Sequence, residues 1–205
     1  SADGRDIAAA VQTIYEIGDA ETLNSAVENA FPGACLEVAA EGGLFRLLMQ
    51  QHGMLRPLGV SELSDGTLRF ILLAAALLAP RPAPLMVFNG PEASLHVDLI
   101  PALASLVAAA SEAGQVIVVS HNRSLVATLA RLGASARMVG KLADDEIGRL
   151  IRVGLEDAGV DCEFLAAGGA GVSPLSFVAV DGVGRRTVFH TAGAGTRMAA
   201  GEWPR

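Results

Sequence analysis

The stretch "LMVFNGPEASLH", residues 85–96, runs apolar through Phe88 and then breaks at Asn89, Gly90 and Pro91. A short, wholly apolar run closed by turn residues suits a strand with no side turned to solvent. The pattern returns in "QVIVVSH", residues 115–121, and "DLIPALASLVAAASEAG", residues 98–114, lies between the two. That middle segment reads as a helix, with Pro101 tolerated in its first turn and Gly114 closing it. Strand, helix, strand in this order predicts an α/β fold: a mostly parallel sheet with helices flanking both faces.

Upstream, Ile7, Val11, Ile14, Leu23 and Val27 are spaced for two short amphipathic helices broken near Gly18. Alternation around Gly42-Gly43 predicts a hairpin. In "SELSDGTLRFILLAAALLAP", residues 61–80, Ser64 and Asp65 can cap a helix from about Gly66 to Ala79, which Pro80, Pro82 and Pro84 end. Downstream, residues 123–132 read as a helix and "ARMVG" as a strand. "DDEIGRLIRVGLEDAG" reads as an amphipathic helix opened by two acids, and two alternating runs around Asp181-Gly182 as a second hairpin.

The 205 residues are 51% hydrophobic with a mean hydropathy of +0.43, which bounds the chain to a foldable globular class. The longest apolar run, Phe70 to Ala79, is about half the ~20 residues that a bilayer span needs, so no membrane role is expected. No secretion signal is evident, and Cys35 and Cys162 lack metal-ligand spacing, which suits a reducing, cytoplasmic setting. The net charge of -7 is uneven. Residues 1–122 hold five Arg and no Lys against thirteen acids, giving -8, while residues 123–205 hold ten bases against nine acids, giving +1. So few cations in the first segment argue against autonomous nucleic-acid binding.

Three ordered motifs carry chemistry: "LSDGT" at 63–67, "LMVFNGPE" at 85–92, and Ser120-His121 at the end of an apolar run. Together they resemble the C-terminal half of an ABC-type ATPase head of the RecF-like and structural-maintenance-of-chromosomes group, over residues 2–122. The resemblance implies a partial P-loop NTPase core in which Ser64, Asp65 and Gly66 form the signature loop. It makes Asn89 and Glu92 part of a Walker B region and His121 a switch histidine. A hydroxyl and the free amides of a helix start favour a phosphate, and the family takes that phosphate from the opposite protomer. Ser-Asp also caps ordinary helices, and Asn-Gly also makes ordinary turns.

Where the family has two carboxylates, for metal-bound water and for general-base chemistry, this chain has Asn89 and Gly90. An amide takes no proton, and glycine has no side chain. A Gly-x-x-x-x-Gly-Lys-Ser/Thr cradle is also missing, because Lys141 is the only lysine and Leu142 follows it. This fits a chain that starts after that motif. No catalytic residue and no metal site are expected, and His52, His96 and His190 form no ligand pattern. ATP and Mg²⁺ are expected only in trans, on an ATPase-head partner or in a homodimer.

A second resemblance covers residues 125–198. "ADDEIG" at 143–148, "GVD" at 159–161 and the hairpin after "SPLSF" resemble the N-terminal part of PfkB-type, ribokinase-like carbohydrate kinases, which implies a β-α-β-hairpin segment. Ala143 stands where the family has Gly. "GAGT" at 193–196 imitates the catalytic motif without its acid. The expectation is a fusion: residues 1–122 ATPase-like and 123–205 kinase-like. It is inactive alone, and at most lends a signature loop to a partner's ATP. The alternatives are a lid or dimerisation module and a purely structural product.

Overall fold

The computed structural model describes residues 5–120, 122–168, 171–173, 175–180 and 186–191. Two compact units divide the chain, 1–132 and 133–205.

The first unit opens with helices α1 (Arg5–Ile17) and α2 (Ala20–Ala30), the latter capped by Asp19. Strands β1 (Cys35–Glu41) and β2 (Leu44–Gln50) form the antiparallel hairpin expected around Gly42-Gly43. The two-residue β3 (Leu58–Gly59) adds to its edge. Helix α3 (Asp65–Leu77), strand β4 (Leu85–Asn89), helix α4 (Ile100–Ala113), strand β5 (Gln115–Val119) and helix α5 (Arg123–Arg131) follow. One apolar core joins them. Val11 and Ile14 of α1, Leu23 and Val27 of α2, and Met49 of β2 are buried with Phe70 and Ile71 of α3, Leu103 and Leu106 of α4, and Leu125 of α5. Phe31 meets Phe70 edge-on, with ring centroids 5.6 Å apart.

β4 and β5 pair in parallel, as strand-helix-strand order requires, in the register Leu85 with Gln115, Val87 with Ile117 and Asn89 with Val119. The expectation of a mostly parallel sheet covered on both faces is corrected. Among the described residues the strands fall into four small sheets, two parallel and two antiparallel. β1 and β2 pair antiparallel because the tight turn at Gly42-Gly43 joins them directly. Met86, Phe88, Val116 and Val118 are half-buried on one face of the β4–β5 pair, while the other face is open to solvent. Apolar residues on both sides of a strand reveal its potential cover and not whether the chain supplies it.

The second unit holds the parallel strands β6 (Gly140–Leu142) and β7 (Leu165–Ala167), joined through helix α6 (Glu146–Glu156). Leu142, Ile151, Leu155, Val160 and Leu165 are buried there with Cys162, whose thiol burial pushes above its ordinary pKa; Cys35, in the first unit, is exposed. The segment read as the strand "ARMVG" pairs only through its last residue in β6 and a bridge from Arg137 to Asp161. β8 (Leu175–Val180) and β9 (Arg186–Thr191) form the expected antiparallel hairpin; its Asp181-Gly182 turn and the 193–196 run lie outside the described residues.

Asp145 ties this unit together. Its Oδ1 accepts from the Gly148 amide at 2.7 Å, capping α6, and from the Ser173 hydroxyl at 2.7 Å. Its Oδ2 accepts from the Ser173 amide at 2.7 Å, and Ser173 Oγ in turn accepts from the Ala143 amide at 3.2 Å. A β-carbon at Gly148 would lie 2.3 Å from the Ala143 carbonyl oxygen and 2.9 Å from Ser173 Oγ, so only glycine fits. Gly148→Ala is therefore expected to destabilise the second unit by about 1–3 kcal/mol, the usual cost of overpacking, read by urea denaturation. An unchanged midpoint would refute this. Hydrogen bonds from Ser173 and Gly148 hold the Asp145 carboxyl below its ordinary pKa. A depressed carboxylate contributes stability above its unfolded pKa of about 4, and that stability is lost as pH falls through the lower folded value. Asp145→Asn is expected to flatten this acid limb in a pH series of melts.

Candidate functional site

The carboxyl ends of β4 and β5 and the start of α3 meet in one cluster. Ser64 is the N-cap of α3: its Oγ accepts from the Thr67 amide at 3.1 Å and lies 2.9 Å from the Thr67 hydroxyl. The helix starts here because this hydroxyl replaces a missing intrahelical partner. Asp65 is exposed in the first turn, where an acid suits the positive end of the helix. Just upstream, Arg56 forms a two-bond pair with Glu62 (2.9 and 2.6 Å), and the Gly59 amide donates to the same carboxylate at 2.9 Å. Arg56 foremost, then the amide, lowers the Glu62 pKa to about 2.

Gly66 serves packing. A β-carbon there would sit 2.9 Å from the Ser94 carbonyl oxygen, so the turn after β4 lies directly against α3. Asn89 ends β4 and is exposed. Gly90, in the left-handed region at φ 56°, extends the pairing by donating its amide to Val119 O at 2.7 Å. Its own carbonyl accepts from Arg69 Nη2 of α3 at 3.0 Å. Beyond the buried Pro91, Glu92 Oε1 accepts from Ser120 Oγ at 2.8 Å, and that hydroxyl accepts from the Asn122 amide at 2.9 Å. Asn122 then caps α5 through Leu125. His121, read as a switch histidine, lies outside the described residues.

The structure thus brings Gly66 and Glu92 into one linked cluster and places Asn89 at its strand end. Glu92 Oε2 and Arg69 Nε are buried without a hydrogen-bond partner. Glu92 faces inward: one oxygen holds the β5 loop and the other is closed off from solvent. Arg69 and Ser94 were not singled out from sequence, and Ser120 only as the residue before His121. A lone Arg in the otherwise apolar "RFILLAAALL" was the available signal for Arg69, since a charge in a buried helix needs a partner. Elsewhere, Tyr15, Asn24, Glu28 and Cys35 line an open groove of about 670 Å³, remote in sequence from this cluster. Among the described residues no group of His, Cys, Asp and Glu could hold a metal ion, and no helix is long and apolar enough to cross a membrane.

This strand-turn-helix cluster sits within residues 11–127, which match the family described as "AAA domain, putative AbiEii toxin, Type IV TA system". The chain belongs to that family and contains an AAA-type, ATPase-like domain. The match ends at residue 127. No curated protein matches the chain.

Among solved structures, the chain is similar to the Smc head of Pyrococcus furiosus bound to the C-terminal domain of ScpA. The identity is 18%, the TM-score 0.46, and the match covers 53% of this chain and 29% of that one. It is similar to the SMC head domain of Thermotoga maritima at 22% identity and TM-score 0.41, over 60% and 44% of the two chains. A structure from a study of ATP-driven dimerisation of SMC ATPases is 15% identical at TM-score 0.46, over 93% and 88%. The chain therefore spans under a third of the first of these and under half of the second.

Two substitutions separate the roles within the cluster. Gly66→Ala must push Ser94 away and is expected to cost about 1–3 kcal/mol, whereas Ser64→Ala loses only a cap, about 1 kcal/mol. Denaturant titration of both variants checks the order, and equal costs would contradict it.

Proposed function

We propose that the chain is a noncatalytic part of an AAA-type ATPase head, which presents Ser64 and the start of α3 to ATP held by a partner that carries the phosphate loop and Mg²⁺. One observation carries this reading: the turn at the carboxyl end of β4 is locked against the start of α3, yet holds Asn89 and Gly90 where water-polarising acids would stand. Amides in the first turn of a helix lack intrahelical partners and attract anions. Glu92 does not replace the lost acids, because Ser120 engages one oxygen and burial closes the other. A general base must reach the proton it removes.

Homodimerisation and binding to an intact ATPase head are the partner arrangements this reading allows. A second reading treats residues 123–205 as a sugar-kinase-like lid or dimerisation module. The order of β6, α6, β7 and the β8–β9 hairpin supports it, as does the Asp145 cap within the "ADDEIG" run. Saturable sugar protection of amides around Leu175 to His190 in hydrogen exchange would support that lid, and no protection would remove it.

Purified full chain is expected to show no ATPase or sugar-kinase turnover above buffer. A phosphate-release rate that Ser64→Arg abolishes would overturn the noncatalytic reading. Nucleotide-dependent association with an intact head, lost in Ser64→Arg, would support the trans role.

A further inference from the structure

Of the chain's four asparagines only Asn89 is followed by glycine; Asn24, Asn29 and Asn122 precede Ser25, Ala30 and Arg123. Glycine has no β-carbon, so its amide nitrogen is unhindered in closing a five-membered ring on the side chain before it. The fold leaves that side chain available. Asn89 ends β4 and is exposed, and its side-chain amide has no hydrogen-bond partner among the described residues. Asn24 and Asn29 lie within α2, and Asn122 commits its side chain to the Leu125 amide.

We propose that Asn89 is a self-modification site, at which the chain converts an amide into a carboxylate that its sequence does not encode. The Gly90 nitrogen, once deprotonated by hydroxide or buffer base, attacks Asn89 Cγ. The N–Cγ bond forms, the Cγ–Nδ2 bond breaks, and Nδ2 leaves as ammonia. Water then opens the cyclic imide at either carbonyl, giving aspartate or its β-linked isomer. The balance is one water in and one ammonia out, with no oxidant or cofactor.

The fold sets the rate. Gly90 donates its N–H to Val119 O at 2.7 Å, and its carbonyl accepts from Arg69 Nη2 at 3.0 Å. A nitrogen whose proton is held in so short a bond neither releases that proton nor swings toward Cγ. The ring therefore closes in the fraction of molecules whose β4 turn has opened, and such local opening is easier than global unfolding. Arg69 touches neither reacting atom and guards the site through Gly90.

The consequence falls on the candidate site itself. Each conversion adds one negative charge at the carboxyl end of β4, because a carboxylate is ionised at neutral pH. The modification does not rest on the noncatalytic reading; it confines that reading to chain that has not aged.

Purified full chain is incubated at neutral and mildly alkaline pH, in native buffer and in guanidinium chloride, and read by peptide mapping with tandem mass spectrometry. The directly made Asn89→Asp chain supplies the mass and elution of the product. Residue 89 is expected to gain a carboxylate progressively in native buffer, faster with each rise in pH, while Asn24, Asn29 and Asn122 stay amides. Denaturant should accelerate the conversion by freeing Gly90. Arg69→Ala should accelerate it at least about tenfold in native buffer, because a hydrogen bond to a charged group is lost. If circular dichroism shows that Arg69→Ala does not fold, the ratio of native to denatured rates in the wild-type chain still tests the gate. The site is overturned if residue 89 gains no carboxylate in native buffer by the time the denatured chain has fully converted, or if Asn24 or Asn29 converts there at the same pace. Equal rates in native buffer and denaturant overturn the gate. Phosphate release from freshly purified chain tests the noncatalytic reading separately.

Discussion

The first unit depends on how the turn after β4 is held. Arg69 reaches from α3 to the Gly90 carbonyl, Gly90 reaches across to β5, and Glu92 grips Ser120 in the loop that starts α5. Each bond joins segments far apart in sequence, so the turn is fixed only when all three elements are in place. A buried charge without such partners would be costly, and the two unpartnered atoms, Arg69 Nε and Glu92 Oε2, sit within this same cluster. The stability of the turn and the shape of the candidate site are one property.

Much of the local structure was legible because short-range chemistry dictates it. Gly18 and the residues after it separate two amphipathic helices, Gly42-Gly43 allows the tight hairpin, Ser64 starts α3, and Asp145 starts α6. The two apolar strands and the helix between them were equally plain. What the sequence hid was long-range. "LMVF" and "QVIVV" announce apolar faces without saying whether a second layer exists to cover them. The bond from Arg69 to Gly90 spans 21 residues, and that from Asp145 to Ser173 spans 28.

The candidate site divides in the same way. That Asn89 and Gly90 carry no carboxylate is visible in sequence, and no fold can supply one there. The inward orientation of Glu92 is visible only in three dimensions, and it turns a spare acid into a brace. Gly66 changes meaning too: as part of "LSDGT" it suggests an open phosphate loop, whereas in the structure its bare α-carbon receives the Ser94 carbonyl.

The two cysteines lie one in each unit and in opposite settings. Cys35 is exposed, while Cys162 is buried with its thiol pushed above the ordinary pKa. Thiolate, not thiol, is the reactive form, so electrophiles reach the first unit at once and the second only after it opens. The chain thus carries a native two-channel clock: modification at Cys35 marks time zero, and the lag at Cys162 measures how often the second unit breathes.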